Sequence, residues 1–304
     1  MKFPGSAAAE YRRFVRRAAR AHARGDRAGT LTWHRRALRA ARCLGDTPLE
    51  QRSYCDVSGA LIELGRYKEA EAGLRELILR TRSPRITWQA TFNLAIALRR
   101  QGSLDRAAGF ARRALETARR LRGRQLRARS LNLLGNLHLV GSRFSEAIDY
   151  YRQALDLYVA CRSDNRHPIS VIRDNLGYCL LLIQRFEEGL EEIDAGLALA
   201  RHVGQPRAEA ECLQDRCYGM LRLRRLQEAE TSGMQALALA ELHGYREVRV
   251  NCYYLLGEIR HLQDDAAGRD AYFLKLQALY PHLPFLRDFL CAFDLSGIIN
   301  LKSI

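Results

Sequence analysis

The sequence predicts an all-α protein, a right-handed α-solenoid of about seven antiparallel helix pairs followed by a C-terminal capping helix. Three observations support this. A small residue recurs at steps of 40, 37, 40, 42, 40 and 40 residues, apolar side chains follow helical spacing, and the 304 residues include only seven prolines. The small residues that mark the repeats are Ala18, Ser58, Ala95, Gly135, Gly177, Cys217 and Gly257.

Each repeat has a second small residue twelve positions after the first, and an aromatic residue or leucine usually lies between them. Gly135, Phe144 and Ala147 form one such set. Small residues allow two helix backbones to approach closely, and the ring or leucine fills the space beside them. The pattern therefore predicts a pair of antiparallel helices in each repeat, and it carries no chemistry of its own.

Proline and glycine mark the ends of the predicted helices. Prolines 48, 84, 168 and 206 lie near helix starts, where the missing N–H costs least. Glycines 45, 123, 204 and 244 lie where helices should stop, and glycine accepts the left-handed conformation needed there. The predicted solenoid covers residues 1–282, with units near 8–46, 47–83, 84–123, 124–165, 166–204, 205–244 and 245–282. Residues 283–304 are predicted to be a capping helix and a tail, and the apolar tail 294–304 either folds back on the cap or is a docking segment.

Two stretches carry a family resemblance, Leu-Gly-Arg-Tyr-Lys-Glu-Ala at 64–70 and the longer match at 133–148. There the chain resembles tetratricopeptide repeat proteins, over roughly residues 8 to 282. Its period is longer than the usual one of about 34 residues. Because of this longer period, the repeats are similar to those of bacterial signal-sensing regulators, kinesin light chains and cell-polarity adaptors. The first and last units depart most from the family pattern.

The resemblance implies a concave groove, lined by the first helix of each pair, that binds a peptide or protein segment without catalysing a reaction. Asparagines suit a peptide backbone, and arginines suit carboxylates or phosphates. Tyr178 and Tyr218 share one register and are either anchors for a partner or packing residues. The positions that the resemblance places in the groove are Arg52, Asn93, Arg99, Arg100, Arg129, Asn132, Asn136, Asp174, Asn175, Tyr178, Gln214, Tyr218, Asn251 and Tyr254.

Charge divides unevenly between the two halves of the chain. Residues 1–150 contain 31 basic and 13 acidic side chains, whereas residues 151–304 contain 18 and 21. We therefore expect a protein or peptide partner with an acidic segment facing the N-terminal half. Two alternatives stay open: a nucleic-acid-associated regulator that uses arginine runs such as Arg112-Arg113, and a peptide-sensing module of a bacterial signalling system. Few exposed aromatics and no helix-turn-helix or zinc-finger spacing make nucleic acid the less favoured partner.

Several function classes are not supported by any motif. The eight histidines form no zinc motif, and no phosphate-binding glycine loop or nucleophile motif occurs, so we predict neither an enzyme nor a metal or cofactor site. The eight cysteines include no Cys-x-x-Cys pair and read as small buried apolar residues of a cytoplasmic protein. Nothing indicates a signal peptide or a membrane span.

Overall fold

The computed structural model describes residues 4–161 and 164–292. Over these residues the chain forms fifteen α-helices and no β-strand, which confirms the predicted all-α class. The helices are α1 Pro4–Ala23, α2 Arg27–Leu44, α3 Thr47–Glu63, α4 Tyr67–Arg80, α5 Pro84–Arg100, α6 Leu104–Arg120, α7 Arg124–Val140, α8 Phe144–Val159, α9 Arg166–Leu182, α10 Phe186–His202, α11 Pro206–Arg222, α12 Leu226–His243, α13 Arg246–Leu262, α14 Ala266–Ala278 and α15 Leu286–Ala292.

The turn inside each helix pair contains one residue in the left-handed conformation. Glycine fills it in the earlier pairs, for example Gly65 at φ 76° and Gly102 at φ 79°. Later pairs use residues with a side chain, such as Gln184 at φ 64° and Arg224 at φ 60°. Because only glycine adopts this conformation without a steric cost, the turn geometry is held in the later pairs by the packing of the two helices.

The prolines and glycines lie at the helix ends as predicted, with one exception. Pro48 lies in the first turn of its helix, where the Asp46 side chain accepts a hydrogen bond from the Leu49 N–H at 2.9 Å. The glycines at 45, 204 and 244 are left-handed, as predicted. At position 123 the prediction is wrong, because Arg122 takes the left-handed conformation (φ 52°) and Gly123 is the N-cap residue of α7 at φ −81°.

The contacts divide the chain into two compact units, unit 1 at Met1–Ser142 and unit 2 at Arg143–Ile304. Helices that follow one another along the chain pack together within each unit. The first helices of the pairs also contact one another, α3 with α5 and α5 with α7 in unit 1, and α9 with α11 and α11 with α13 in unit 2. We call the side formed by α1, α3, α5 and α7, and the side formed by α9, α11 and α13, the first-helix face of each unit.

The marker residues lie where paired helices cross. A Cβ added at Gly177 would lie 2.5 Å from Ile193 Cγ1 and 2.6 Å from the Gly189 carbonyl oxygen. In unit 1 the corresponding pair, Ala95 and Ala107, is completely buried. The small residues are therefore required by the distance between the two helix backbones, as the sequence pattern indicates.

The last described helix covers the end of unit 2. Leu286 and Leu290 of α15 are buried in the same apolar cluster as Leu276 of α14. The tail 294–304, for which folding back and docking are both predicted, lies outside the described residues. Over the part of the chain that the structure describes, no helix is both long and apolar enough to cross a membrane.

Candidate functional site

The first-helix face of unit 1 contains a cavity of about 370 Å³. Side chains of α1, α2, α3 and α5 surround it. They are Val15, Ala18, Ala19, His22, Thr30, His34, Cys55, Asp56, Gly59, Ala60, Glu63, Gln89 and Asn93. The cavity is therefore shared between neighbouring repeats, and its wall combines small residues with titratable and amide groups.

The cavity exists because two repeats have almost no side chain at one position. Ala19 and Gly59 each follow the marker residue of their repeat, and both line the cavity. A Cβ added at Gly59 would find only the Asn93 amide nitrogen, 4.0 Å away. The space above this helix is consequently open to a group from another molecule.

Asp56 is the main acidic group of the cavity. Burial raises the pKa of its carboxyl group, while His34, Arg52 and a hydrogen bond from Gln89 Nε2 at 3.4 Å act in the opposite direction. Burial lowers the pKa of His34, with Asp56 opposing it. In this cavity, the attraction between His34 and Asp56 therefore opposes the effect of burial on the pKa of both groups.

A second carboxylate and a thiol complete the titratable groups. Glu63 Oε2 lies 3.4 Å from Nδ1 of His22. Burial raises the pKa of the Cys55 thiol to about 12, so this cysteine stays protonated and is a poor nucleophile at neutral pH. The arrangement suits hydrogen bonding and charge recognition better than covalent chemistry.

Among the groove residues predicted for unit 1, Asn93 lines this cavity. Its Nδ2 donates to the Cys55 carbonyl at 3.1 Å. The four predicted arginines lie outside the cavity wall: Arg52 and Arg100 are exposed, Arg99 is half-buried, and exposed Arg129 stacks over the rings of Trp88 and Phe92 at 5.1 and 5.0 Å. Asn132 and Asn136 are half-buried on α7, and Asn132 Oδ1 is buried without a hydrogen-bond donor.

On the first-helix face of unit 2, polar groups are buried and bonded to one another. Asn251 Nδ2 donates to Gln214 Oε1 at 3.0 Å, and Gln214 Nε2 donates to Asp215 Oδ1 at 2.7 Å. Asn251 and Gln214 expose only 2% and 6% of their surface. In this structure the two helices α11 and α13 enclose these two amides, and their contact with a partner stays a prediction.

The tyrosines of unit 2 are packing residues in this structure. Tyr218 is buried, and Arg222 lies over its ring at 5.8 Å. Tyr178 is half-buried against the same apolar cluster. Tyr254, predicted to face the groove, is instead buried and stacks on Phe273 of α14 with ring centroids 6.3 Å apart. Tyr178 and Tyr218 were predicted to be either anchors for a partner or packing residues, and in this structure they pack.

Asp174 of α9 is a buried carboxyl group of unit 2 with an unpartnered oxygen. It is 8% exposed, its Oδ1 accepts no hydrogen bond, and the Cys212 thiol is a hydrogen-bond partner of the carboxyl group. Burial raises its pKa well above the usual value, and the charges of Asp215 and Glu211 raise it further. The neighbouring Asn175 is half-buried.

Sequence reasoning missed several residues of the unit 1 cavity. His34 belongs to α2, the second helix of its pair, and the family resemblance directs attention to first helices only. The absence of a side chain is also easily overlooked, although two small residues in succession at 18–19 and 58–59 are a visible signal. Within the described residues, no group of three or more potential ligands is arranged to hold a metal ion.

Comparison with known proteins agrees with this architecture. Residues 89–158 match the tetratricopeptide repeat family model. Residues 89–158 carry tetratricopeptide repeats. Proteins built from tetratricopeptide repeats generally mediate protein–protein interactions, and the scaffold is generally non-catalytic. A comparison with curated protein sequences finds no significant match.

Solved structures with tetratricopeptide repeats share the fold at low sequence identity. A Rap protein in complex with competence and sporulation factor has a TM-score of 0.68 and 14% identity, covering 91% of this chain and 76% of its own. Aspartyl phosphate phosphatase F from Bacillus subtilis has a TM-score of 0.67 and 13% identity, covering 98% and 74%. PilF from Pseudomonas aeruginosa has a TM-score of 0.58 and 19% identity, covering 80% and 97%. These likenesses show the fold.

Proposed function

We propose that this chain is a non-catalytic adaptor that binds a peptide or protein segment on its first-helix face, and that the unit 1 cavity receives a side chain of that segment. The cavity is the observation that carries the proposal. Its volume of about 370 Å³ lies within the range of roughly 300–1,000 Å³ typical of ligand pockets. Open space beside buried, hydrogen-bonding side chains is the usual arrangement of a recognition pocket.

The chemistry of the cavity favours a side chain that donates hydrogen bonds. Asp56 and Glu63 present carboxylate acceptors, and burial of Asp56 means that a cation entering the cavity would find a strong electrostatic partner. The inserted residue is therefore proposed to be a lysine, an arginine or an amide. Four arginines outside the cavity, three exposed and one half-buried, are proposed to meet acidic residues elsewhere in the same segment; they are Arg52, Arg99, Arg100 and Arg129.

Two further features support an adaptor role. A Rap protein of similar fold was solved with competence and sporulation factor bound, so the scaffold accommodates a partner of that kind in one relative. All eight cysteines are free, and five of them are buried, which is consistent with a reducing compartment and with the cytoplasmic location that we propose.

The test begins with selection of binders from a displayed library of random peptides on the full chain. Selected peptides are then titrated by fluorescence anisotropy against wild type and Gly59→Leu, whose added side chain would occupy the cavity. We expect a loss of affinity of at least about tenfold. Gly109→Leu is the matched control, because a side chain added there also enters open space, but on α6.

The outcomes separate the parts of the proposal. Equal affinity for wild type and Gly59→Leu would exclude the cavity as the binding pocket. If the library yields no binder at all, the adaptor function itself fails. Simultaneous charge reversal of Arg52, Arg99, Arg100 and Arg129 is expected to abolish binding of the acidic peptides selected while leaving the helical circular-dichroism spectrum intact; unchanged binding would remove the arginines from the interface.

A further inference from the structure

A second cavity of unit 1 lies away from the first-helix face. It has a volume of about 700 Å³ and lies between the beginning of α5 and the second half of α6. Arg82, just before α5, faces three arginines of α6 across it, Arg112, Arg113 and Arg120. Glu116 is the one acidic residue of its wall. We call this space the arginine cavity.

The positive charge of the arginine cavity is mostly uncompensated. Glu116 pairs with Arg120. Over the described residues, Arg82, Arg112 and Arg113 form no ion pair with a carboxylate. Three guanidinium groups thus share one concave space without counter-charges of their own, and a bound polyanion would relieve their mutual repulsion.

Several other arginines of the chain are paired with carboxylates. Arg106, on the same helix α6, reaches Glu71 at 2.6 Å. In unit 2, Arg201 pairs with Glu209 and Arg216 with Asp194, both at 2.8 Å. The chain supplies carboxylates to arginines in these places and leaves the arginine cavity without them.

We propose that the arginine cavity binds the sugar–phosphate backbone of a nucleic acid. Arg113 and Arg120 are seven residues apart on α6, which corresponds to about 10 Å along the helix axis. Successive phosphates advance by about 3.4 Å per strand, so this stretch spans about three of them. Guanidinium groups bind phosphate oxygens in bidentate geometry.

The wall of the cavity also indicates which part of a nucleic acid it contacts. No aromatic side chain lines it, so bases have no stacking surface there. Gly109 leaves the wall open, because a Cβ added to it would have no atom within 4 Å. The cavity therefore recognises charge along a backbone, and the binding is independent of base sequence.

The choice of phosphate over carboxylate follows from spacing. Phosphates stand on the polymer backbone itself, so a series of them meets several guanidiniums without ordering a set of flexible side chains. The carboxylates of an acidic peptide require the ordering of each side chain, which costs conformational entropy. This site is separate from the cavity on the first-helix face, and neither proposal depends on the other.

The experiment measures fluorescence anisotropy of labelled single-stranded and duplex oligonucleotides with the full chain, over salt concentrations between about 50 and about 200 mM. The test variant is Arg112→Ala with Arg113→Ala. The control variant, Arg24→Ala with Arg39→Ala, removes the same net charge from exposed positions of unit 1 that do not line the arginine cavity. Thermal melts check that both variants fold as wild type does.

The test variant should bind about tenfold more weakly at low salt, and the control should change less than about twofold. The slope of log affinity against log salt should fall by about 1.4 for single strands, because each lost phosphate contact accounts for about 0.7. Arg82→Ala, which alters the loop rather than α6, should show the same direction of change. This second variant keeps the test valid if the double substitution destabilises α6.

Three results would overturn the proposal. The first is the absence of binding to both oligonucleotides at low salt. The second is an equal loss in the control and test variants, which would mean that net charge alone attracts the nucleic acid. The third is competition by polyglutamate as effective as competition by an oligonucleotide of equal charge, which would identify the cavity as a site for carboxylates.

Discussion

The first-helix faces of unit 1 and unit 2 have the same repeat register and opposite accessibility. The residue after the marker is Ala19 or Gly59 in the first two repeats, and it is Tyr178 or Tyr218 in two later ones. Small residues leave a cavity of about 370 Å³ in unit 1, whereas the face of unit 2 is filled by rings and enclosed amides. In these four repeats, the residue after the marker is small where the face has a cavity and aromatic where the face is filled.

The two faces also treat a buried carboxyl group differently. Burial raises the pKa of both Asp56 and Asp174. Around Asp56, a histidine, an arginine and an amide counteract the effect, whereas around Asp174 two further carboxylates increase it. The effect of burial on Asp56 is thus opposed by three neighbouring side chains, whereas for Asp174 only the hydrogen bond with Cys212 opposes it.

The largest expected effect comes from removing an aromatic ring from the first-helix face of unit 2. Tyr218→Ala should lower the free energy of unfolding by about 3–5 kcal/mol, because the ring is 3% exposed and its removal leaves a cavity in the core of unit 2. Urea-induced unfolding monitored by circular dichroism measures this. Tyr218→Phe keeps the ring and loses only a long hydrogen bond with Arg222 (3.4 Å), so its cost should stay below about 1 kcal/mol. Equal costs for the two variants would contradict the packing role.

A smaller effect is expected from adding one methyl group at glycines of the two units. Gly177→Ala should destabilise unit 2 by about 1–3 kcal/mol, since the new Cβ would lie 2.6 Å from the Gly189 carbonyl oxygen. Gly109→Ala in unit 1 enters open space within α6 and should stabilise by about 0.5–1 kcal/mol. The measurement is again urea unfolding. Stability changes of the same sign at both sites would show that glycine is not required at 177 by the close approach of the α9 and α10 backbones.

The third prediction concerns pH. Because the folded-state pKa of Asp174 is raised, the folded chain keeps a proton that the unfolded chain releases near its usual value of 3.8. Stability should therefore fall as pH rises from about that value through the folded-state pKa. Asp174→Asn should remove this decline and raise the free energy of unfolding at neutral pH by roughly 1–3 kcal/mol.

Asp56→Asn is the matched comparison in unit 1. Its gain in stability should be smaller, because His34, Arg52 and Gln89 already offset the burial of Asp56. Unfolding free energies measured from acid to neutral pH distinguish the two variants. If Asp56→Asn gains as much as Asp174→Asn, the contrast between the two buried carboxyl groups is removed.

Local patterns predicted the fold well. The period of about 40 residues, the small residues of the repeats and the helix-starting prolines depend on contacts within a helix or between adjacent helices, which sequence spacing reports directly. The error at Gly123 is local too. Helix α6 ends at Arg120 and Arg122 takes the left-handed position, so Gly123 is the N-cap residue of α7 instead.

The candidate site was harder to predict, because it depends on which side chains several helices bring together. Asn93 was predicted and lines the unit 1 cavity, whereas His34 and Asp56 were not selected from the sequence. Asn251 and Tyr254 were selected and are enclosed by neighbouring helices. A repeat pattern assigns a register to each residue, but accessibility depends on the volumes of the residues around it.

The sequence by itself determined the repeat, the all-α class and the excess of arginine in the first half of the chain, since each follows from residue type and spacing. Only the tertiary structure decided which charged and polar side chains lie together. It placed carboxylates and histidines in the unit 1 cavity, and it collected Arg82 with the α6 arginines in a different cavity. The physical reason is that the burial and charge pairing of a side chain depend on neighbours that are distant in the chain. No single stretch of sequence contains all of these neighbours.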